Sequence, residues 1–325
     1  MTNSFSLPQL LDHEDKLSSE LKNRIRKNYK HIKKWATQSK TNAFRIYDRE
    51  VPGYPLAIDY YGGFFLVHYF PKEKEAPMPE ELNKELLCSI KTLFGANEDQ
   101  IFFRTRFKRE KTEQYEKLGD EKNFFIVYEY GIKFKVNLTS YLDTGLFLDH
   151  RQTRHMIYQI SQNRTVLNLF AYTCSFSVHA AMGGARETTS VDLSNTYTSW
   201  GKENFFINHL SLKNNHIIRE DCLKFLEDAK QSFDIIIIDP PTVSRSKKMD
   251  QFFDIQKDYI FLLKQALRLL NHEGEIFFST NLRSFKFDEE IFPDCQIFDI
   301  TKKTLPIDFH NEKIHKCWKI KKLKA

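Results

Sequence analysis

The chain has no apolar run long enough to cross a membrane. Its best runs, such as the four isoleucines between Asp234 and Asp239, are strand-length, whereas a membrane helix needs about 20 apolar residues. The N-terminus shows no basic-then-apolar pattern, so no secretory signal is expected. Cysteine is scarce: Cys88, Cys174, Cys222, Cys295 and Cys317 are odd in number, scattered, and never spaced as C-x-x-C. That spacing argues against a disulfide framework, a zinc knuckle and an iron–sulfur cluster, and a reducing cytoplasm is the expected setting. The eleven histidines show no metal-ligand spacing with acids, so no metal is expected. Neither G-x-G-x-x-G nor a P-loop occurs, which removes the dinucleotide and phosphate-loop fingerprints. Internal repeats and low-complexity tracts are absent too.

What is present is a chain of 325 residues, 41% hydrophobic and 28% charged. That balance suits a folded globule, and the length suits about two domains. The net charge of +6 is mild but uneven. Glu20 to Lys40 carries eight Lys/Arg against one Glu, Arg104 to Lys111 holds a second cluster, and the last 24 residues contain eight lysines. One such run is an ordinary solvated surface. Three together favour a polyanionic partner, most simply nucleic acid.

Periodicity divides the chain into three zones. In residues 1–42, Leu21, Ile25, Tyr29, Ile32 and Trp35 recur at helical spacing, with basic residues on the other faces. Residues 43–138 read as strands around Ala43–Tyr47, Pro55–Tyr60 and Phe64–Tyr69, a helix at Glu80–Leu93, then strands at Ile101–Arg106, Asn123–Glu129 and Ile132–Asn137. Turns fall at Gly62-Gly63 and Tyr130-Gly131, so this is a small α+β domain. Residues 139–325 alternate strand and helix four times, add a fifth strand, and end in two strands with no clear helix between them. Repeated βα units force parallel pairing, so this α/β zone predicts a doubly wound Rossmann-like sheet with an antiparallel edge hairpin.

Ligands bind such sheets beyond the carboxyl ends of the strands. The first strand there runs into Asn168-Leu-Phe-Ala-Tyr-Thr-Cys-Ser-Phe-Ser177, small and hydroxyl residues leading to a helix start. The second ends in Asp192, placed to accept ribose hydroxyls; the third ends at Glu220-Asp221-Cys222, where an acid can bond an adenine amino group. Each of these acids alone reads equally as a helix cap. The fourth strand ends in Asp239-Pro240-Pro241, where two prolines fix the backbone and leave rigid acceptors. Taken in order, Asn168, Asp192, Asp221 and Asp239 resemble the class I S-adenosylmethionine methyltransferases.

A tighter resemblance lies in Tyr141-Leu-Asp-Thr-Gly-Leu-Phe-Leu-Asp-His-Arg151, Asn168–Ser177, Asp192–Ser194, Trp200-Gly-Lys-Glu-Asn204 and Asp239–Lys248. It continues in Gln114–Gly119, Val136–Tyr141, Asn23–Trp35, Tyr47-Asp48 and Pro52-Gly-Tyr54, covering roughly residues 20 to 320. These motifs are similar to the K half of the bacterial large-subunit ribosomal RNA methyltransferases K/L. The resemblance implies methylation of guanine N7 in 23S ribosomal RNA, free or in a pre-ribosomal particle. It implies S-adenosylmethionine held by Asp143, Thr144, Gly145, His150, Asn168, Phe170, Tyr172, Cys174, Asp192, Leu193, Ser194, Asn204, Asp221, Cys222 and Asp239, with Asp239, Pro240 and Pro241 at the reacting base. Lys27, Lys30, Lys33, Lys34, Arg106, Arg245, Lys247 and Lys248 are the expected RNA contacts. Two positions depart from the family pattern. Cys174 stands where the family has glycine, which predicts crowding of the cofactor or a different turn. Val243 stands where the family has phenylalanine, which predicts loss of an aromatic platform. The THUMP domain and second methyltransferase half of the fused proteins have no counterpart in this sequence, so a separate THUMP-containing chain is a candidate partner.

Two rival readings follow from chemistry. Cytosine C5 methylation needs a cysteine nucleophile, yet Phe277–Leu282 and Asp239–Ser244 contain none. Amine methylation favours an aromatic after Asp-Pro-Pro, where Thr242 stands. A cofactor-binding RNA-assembly protein without turnover is the non-enzyme alternative.

Overall fold

The computed structural model describes residues 5–11, 19–73, 76–106, 123–244 and 253–323, and they form two compact units. The first comprises residues 1–144 with 306–311; the second comprises 145–305 and 312–325.

In the first unit, helix α1 (Glu20–Gln38) begins at Ser19, whose hydroxyl accepts the Lys22 N–H, and buries Leu21, Ile25, Tyr29, Ile32 and Ala36. This face packs on β1 (Ala43–Asp48) and on α2 (Glu80–Phe94), with Tyr29 stacked on Phe44 and edge-on to Phe94. Strands β1, β2 (Leu56–Tyr61), β3 (Phe64–Tyr69) and β4 (Ile101–Thr105) lie in that order. The first three are antiparallel, and α2 carries the chain across so that β4 runs parallel to β3. Gly62 and Gly63 close the β2–β3 hairpin with φ of 54° and 115°, both in the region that side chains disfavour. Strands β5 (Phe124–Glu129) and β6 (Ile132–Asn137) form a separate two-stranded ribbon.

The second unit opens with a 3₁₀ turn, Leu148–His150, and α3 (Arg151–Ile160). Alternation follows: β7 (Thr165–Leu169), α4 (Ser175–Met182), β8 (Glu187–Asp192), α5 (Asn195–Ile207), β9 (Asn215–Arg219), α6 (Cys222–Asp228) and β10 (Phe233–Ile238). Two short strands, β11 (Val243–Ser244) and β12 (Phe253–Asp254), pair with each other before α7 (Ile255–Leu269) and β13 (Leu270–Thr280). Then come β14 (Cys295–Asp299), the single turn α8 (Thr301–Thr304) and β15 (Lys316–Lys322). The sheet order is β14-β15-β13-β10-β7-β8-β9. Strands β13, β10, β7, β8 and β9 are parallel, and β15 is antiparallel to both its neighbours. The fold is therefore the expected Rossmann-like doubly wound sheet with an antiparallel edge. Its central strand is covered on both faces: Ile236 and Ile238 enter one core with α7, and Ile235 and Ile237 enter another with Ile157 and Phe176. Such two-sided burial explains the unbroken run of isoleucines. Among the described residues, no helix is long and apolar enough to cross a membrane.

Candidate active site at the carboxyl edge of the sheet

The loop after β7 has an unusual backbone. Phe170, Tyr172 and Cys174 have φ of 55°, 51° and 61°, the left-handed region where a non-glycine residue is strained by roughly 1–3 kcal/mol. A dense set of bonds holds it there. Ala171 N–H donates to Val191 O at 3.0 Å, Tyr172 N–H to Asp192 Oδ2 at 2.8 Å, and Cys174 N–H to Ala171 O at 2.7 Å. Asn204, buried on α5, donates to Thr173 O at 2.9 Å. Gly145 is tied in at both ends: its N–H donates to the Tyr172 hydroxyl at 2.9 Å, and its carbonyl accepts from Thr173 Oγ1 at 2.6 Å.

Asp192 organises the next strand end. One oxygen accepts from Tyr172 N–H and the other from Ser194 N–H, each at 2.8 Å. Burial raises its pKa, and the two backbone bonds oppose that rise. Ser194 caps α5 by accepting Tyr197 N–H, while the Leu193 carbonyl accepts from Arg219. At the third strand end, Asp221 caps α6 by accepting the Leu223 and Lys224 N–H groups. Cys222 is wholly internal: Sγ accepts Phe170 N–H at 3.1 Å and donates to Val191 O at 3.4 Å, and burial pushes its thiol pKa well up. Asn168 turns inward, donating to Ser177 Oγ, which also receives the Ser190 hydroxyl.

Cys174 takes the left-handed backbone that glycine would favour, and its side chain is fully buried. A Cβ added at Gly201 of α5 would lie 2.5 Å from its sulfur, so the thiol fills the space that a missing side chain leaves. Burial pushes this thiol up to about 12.

Asp239 ends β10 half-exposed. Its Oδ1 accepts from Ser279 Oγ at 2.7 Å, and its Oδ2 lies 3.2 Å from His150 Nε2. Pro240 is buried and Pro241 half-buried. Thr242 donates to Asn281, and Val243 is buried where β11 meets β12. Aromatic rings gather near the β7 loop: Phe147, Tyr172 and Tyr197 form a chain, with Phe147 exposed at one end.

The sequence grouping therefore divides. Gly145, Phe170, Tyr172, Cys174, Asp192, Ser194, Asn204 and Cys222 are linked by these bonds and contacts around the β7 loop, and His150 and Asp239 form a second group with Ser279 at the end of β10. Asp143 and Thr144 belong to the first unit, where Thr144 meets Tyr61 and Asp143 lies 3.7 Å from Arg106. Arg106 is already engaged there, donating to His68 Nδ1 and to Leu142 O. Lys27, Lys30, Lys33 and Lys34 are exposed on α1. Arg245, Lys247, Lys248 and the Gln114–Gly119 motif lie outside the described residues. Sequence reasoning did not single out Ser279 as an Asp239 partner, nor His315. Ser279 lies one residue from the end of β13, the strand beside β10, a position that topology alone could have flagged; His315 carries no such signal.

An open parallel sheet with acids at successive strand ends defines a nucleotide-type cofactor fold. Residues 48–315 match the model of the S-adenosylmethionine-dependent methyltransferase family, and the chain belongs to that family. It is 43% identical over 321 residues to the ribosomal RNA large subunit methyltransferase K/L of Shewanella oneidensis, covering 97% of this chain and 45% of the relative. The K/L protein of Pseudoalteromonas atlantica is 45% identical over 306 residues, covering 93% and 44%. The chain thus spans just under half the length of these relatives. Among solved structures, the methyltransferase-like SMU.776 in complex with SAH aligns with a TM-score of 0.73 at 26% identity, covering 94% of this chain and 83% of that one.

Proposed function

We propose that the chain transfers the methyl group of S-adenosylmethionine to N7 of a guanine in large-subunit ribosomal RNA. The observation that carries the reading is the likeness to the K/L proteins across nearly the whole chain. The site residues fit the cofactor. Each Asp192 oxygen spends one lone pair on a backbone N–H and keeps another for a ribose hydroxyl. The Cys174 side chain is folded into α5, so it does not fill the mouth of the loop. When bound, S-adenosylmethionine supplies an electrophilic methyl group.

Guanine N7 has a free lone pair, so no side chain has to remove a proton before transfer. The protein's work is to hold the base in line and to exclude competing geometries. Asp239, fixed by Ser279 and the rigid Pro240-Pro241, sets negative charge where the methylated ring becomes positive. Cytosine C5 chemistry finds no exposed thiol at this edge among the described residues: Cys174, Cys222 and Cys317 are buried thiols with raised pKa values.

The test is a tritiated methyl-transfer assay on ribosomal RNA and on ribosomal particles, with mass spectrometry of the product nucleosides. Label in N7-methylguanosine supports the reading. Label in another nucleoside overturns the target, and no label despite calorimetric cofactor binding overturns the catalytic claim.

A further inference from the structure

Behind the Asp239 carboxylate lies a group of buried polar side chains that the reaction as drawn does not use. His150 Nε2 is 3.2 Å from Asp239 Oδ2 and 3.7 Å from Asp149 Oδ2. His315 Nδ1 is 3.2 Å from the same Asp149 oxygen, and its Nε2 is 2.9 Å from Thr304 Oγ1. The two histidines are 5% and 2% exposed. Burial alone would raise the Asp149 pKa, but His150, the bond from His315 and Arg154 outweigh it and hold the carboxyl well below the usual range.

Asp149, His150 and His315 bring three metal-type ligand atoms within 4.8 Å of one another. The ring geometry argues for a different use. The imidazoles are stacked, with centroids 4.8 Å apart and planes 12° from parallel. A metal meets an imidazole nitrogen along its lone pair, in the plane of the ring. Two stacked, nearly parallel rings direct their lone pairs into separate planes, so a single ion cannot satisfy both.

We propose that His150, counted among the cofactor contacts by the family resemblance, is instead a positioning residue that fixes the Asp239 carboxylate for methyl transfer, its Nε2 being turned to two carboxylates. The proposal rests on the role given to Asp239 above. A carboxylate only accepts, and Nε2 faces two carboxylates, so Nε2 carries the ring proton. Ser279 donates to Oδ1 and His150 Nε2 stands at ion-pair distance from Oδ2, so rotating the carboxylate breaks one bond and parts this pair. Among the described residues Nδ1 of His150 is buried without a hydrogen-bond partner, which leaves the Asp239 side as the ring's polar anchor. Its faces are held by His315 and, at 5.8 Å, by Phe176. His315 is itself held by Asp149 and Thr304, so the ring has a rigid backing. Groups that orient a reacting residue in this way tolerate little looseness.

The test uses the whole 325-residue chain with H150L, H150Q, H150N and D239N. Histidine 15N spectra of the unliganded wild type should show the His150 proton on Nε2, and those signals should shift in D239N. H150L should lower kcat by 10- to 100-fold while the Kd for S-adenosylmethionine moves less than 3-fold. H150Q, which offers an N–H in a similar place, should recover to within about 5-fold of the wild-type kcat. A wild-type kcat in H150L, a loss confined to cofactor affinity, or His150 signals indifferent to D239N overturns the proposal. Should H150L fail to fold, H150N decides, its shorter amide falling short of Asp239: a 3- to 10-fold fall in kcat at unchanged cofactor Kd supports the proposal, and a wild-type kcat overturns it. A wild type that methylates no RNA refutes the proposed function instead, and the 15N spectra still test the contact.

Discussion

At the scale of single residues, Cys174 and Gly201 act as one unit. A glycine inside a helix costs roughly 1 kcal/mol relative to alanine, yet Gly201 sits in the middle of α5. The reason is the Cys174 sulfur, 2.5 Å from where an alanine Cβ would stand. Gly201→Ala should therefore lower stability by roughly 1–3 kcal/mol. The same change made with Cys174→Gly should be neutral or stabilising, because the atom in the way is gone. Urea unfolding of the four proteins measures the coupling, and strictly additive effects would refute it. A second residue-scale case is His68 in the first unit. Its Nε2 faces Asp59, Nδ1 accepts from Arg106, and burial lowers its pKa to about 4. The unfolded chain binds a proton near pH 6.5 and the folded chain only near pH 4, so stability rises with pH across that window. Acidification from pH 6.5 to 4 should remove on the order of 3 kcal/mol. His68→Gln should flatten that slope; an equal slope in both proteins would show that other groups set it.

At the scale of elements, strand and helix alternation was legible because β10 is apolar on both faces and α5, α6 and α7 start at the capping residues Ser194, Asp221 and Asp254. Asp221 is the instructive case: the cap reading and the ligand reading were equal from sequence, and the cap is now accounted for by two N–H bonds. Helix α3 was not legible. Its buried face consists of Arg151, Thr153, Arg154 and Ile157, so a periodicity argument built on apolar residues finds almost nothing. The turn at Tyr130-Gly131 marked β5 and β6 as neighbours, but that they stand apart from the four-stranded sheet was hidden, since alternation within a strand does not say which sheet it joins. The site's acids were legible one by one. The bonds fastening the 145 region to the β7 loop were not, because they depend on backbone atoms and on a hydroxyl 27 residues away. Gly145 concentrates that fastening. Its φ is 92°, and an added Cβ would lie 2.2 Å from the Trp200 ring. Gly145→Ala should cost 3 kcal/mol or more, as over-packing and backbone strain combine. It should also weaken S-adenosylmethionine binding, since the same residue secures Tyr172 and Thr173. Calorimetry showing full cofactor affinity in a destabilised variant would separate the two effects and remove Gly145 from the site.

At the scale of the whole molecule, the chain passes between its two units three times, because residues 306–311 return to the first unit. There Asp308 accepts the Arg45 N–H, and Phe309 lies under the Arg45 guanidinium. A clean cut near residue 145 would strand that segment, so experiments on substrate binding belong on the full chain. The charge distribution then gives a test that does not depend on catalysis. The net charge of +6 is too small to hold RNA by itself, but Lys27, Lys30 and Lys34 stand exposed at three- and four-residue spacing along α1. Lysines that neutralise phosphates release counterions, and for single strands each contact contributes about 0.7 to the slope of log affinity against log salt. Replacing all three by glutamate should weaken RNA binding and lower that slope by about 2. Cofactor affinity should be unchanged, since none of the three belongs to the β7–β10 edge. An unaltered RNA affinity at low salt would show that α1 is a solvated face and move the search for the RNA contact to other basic residues.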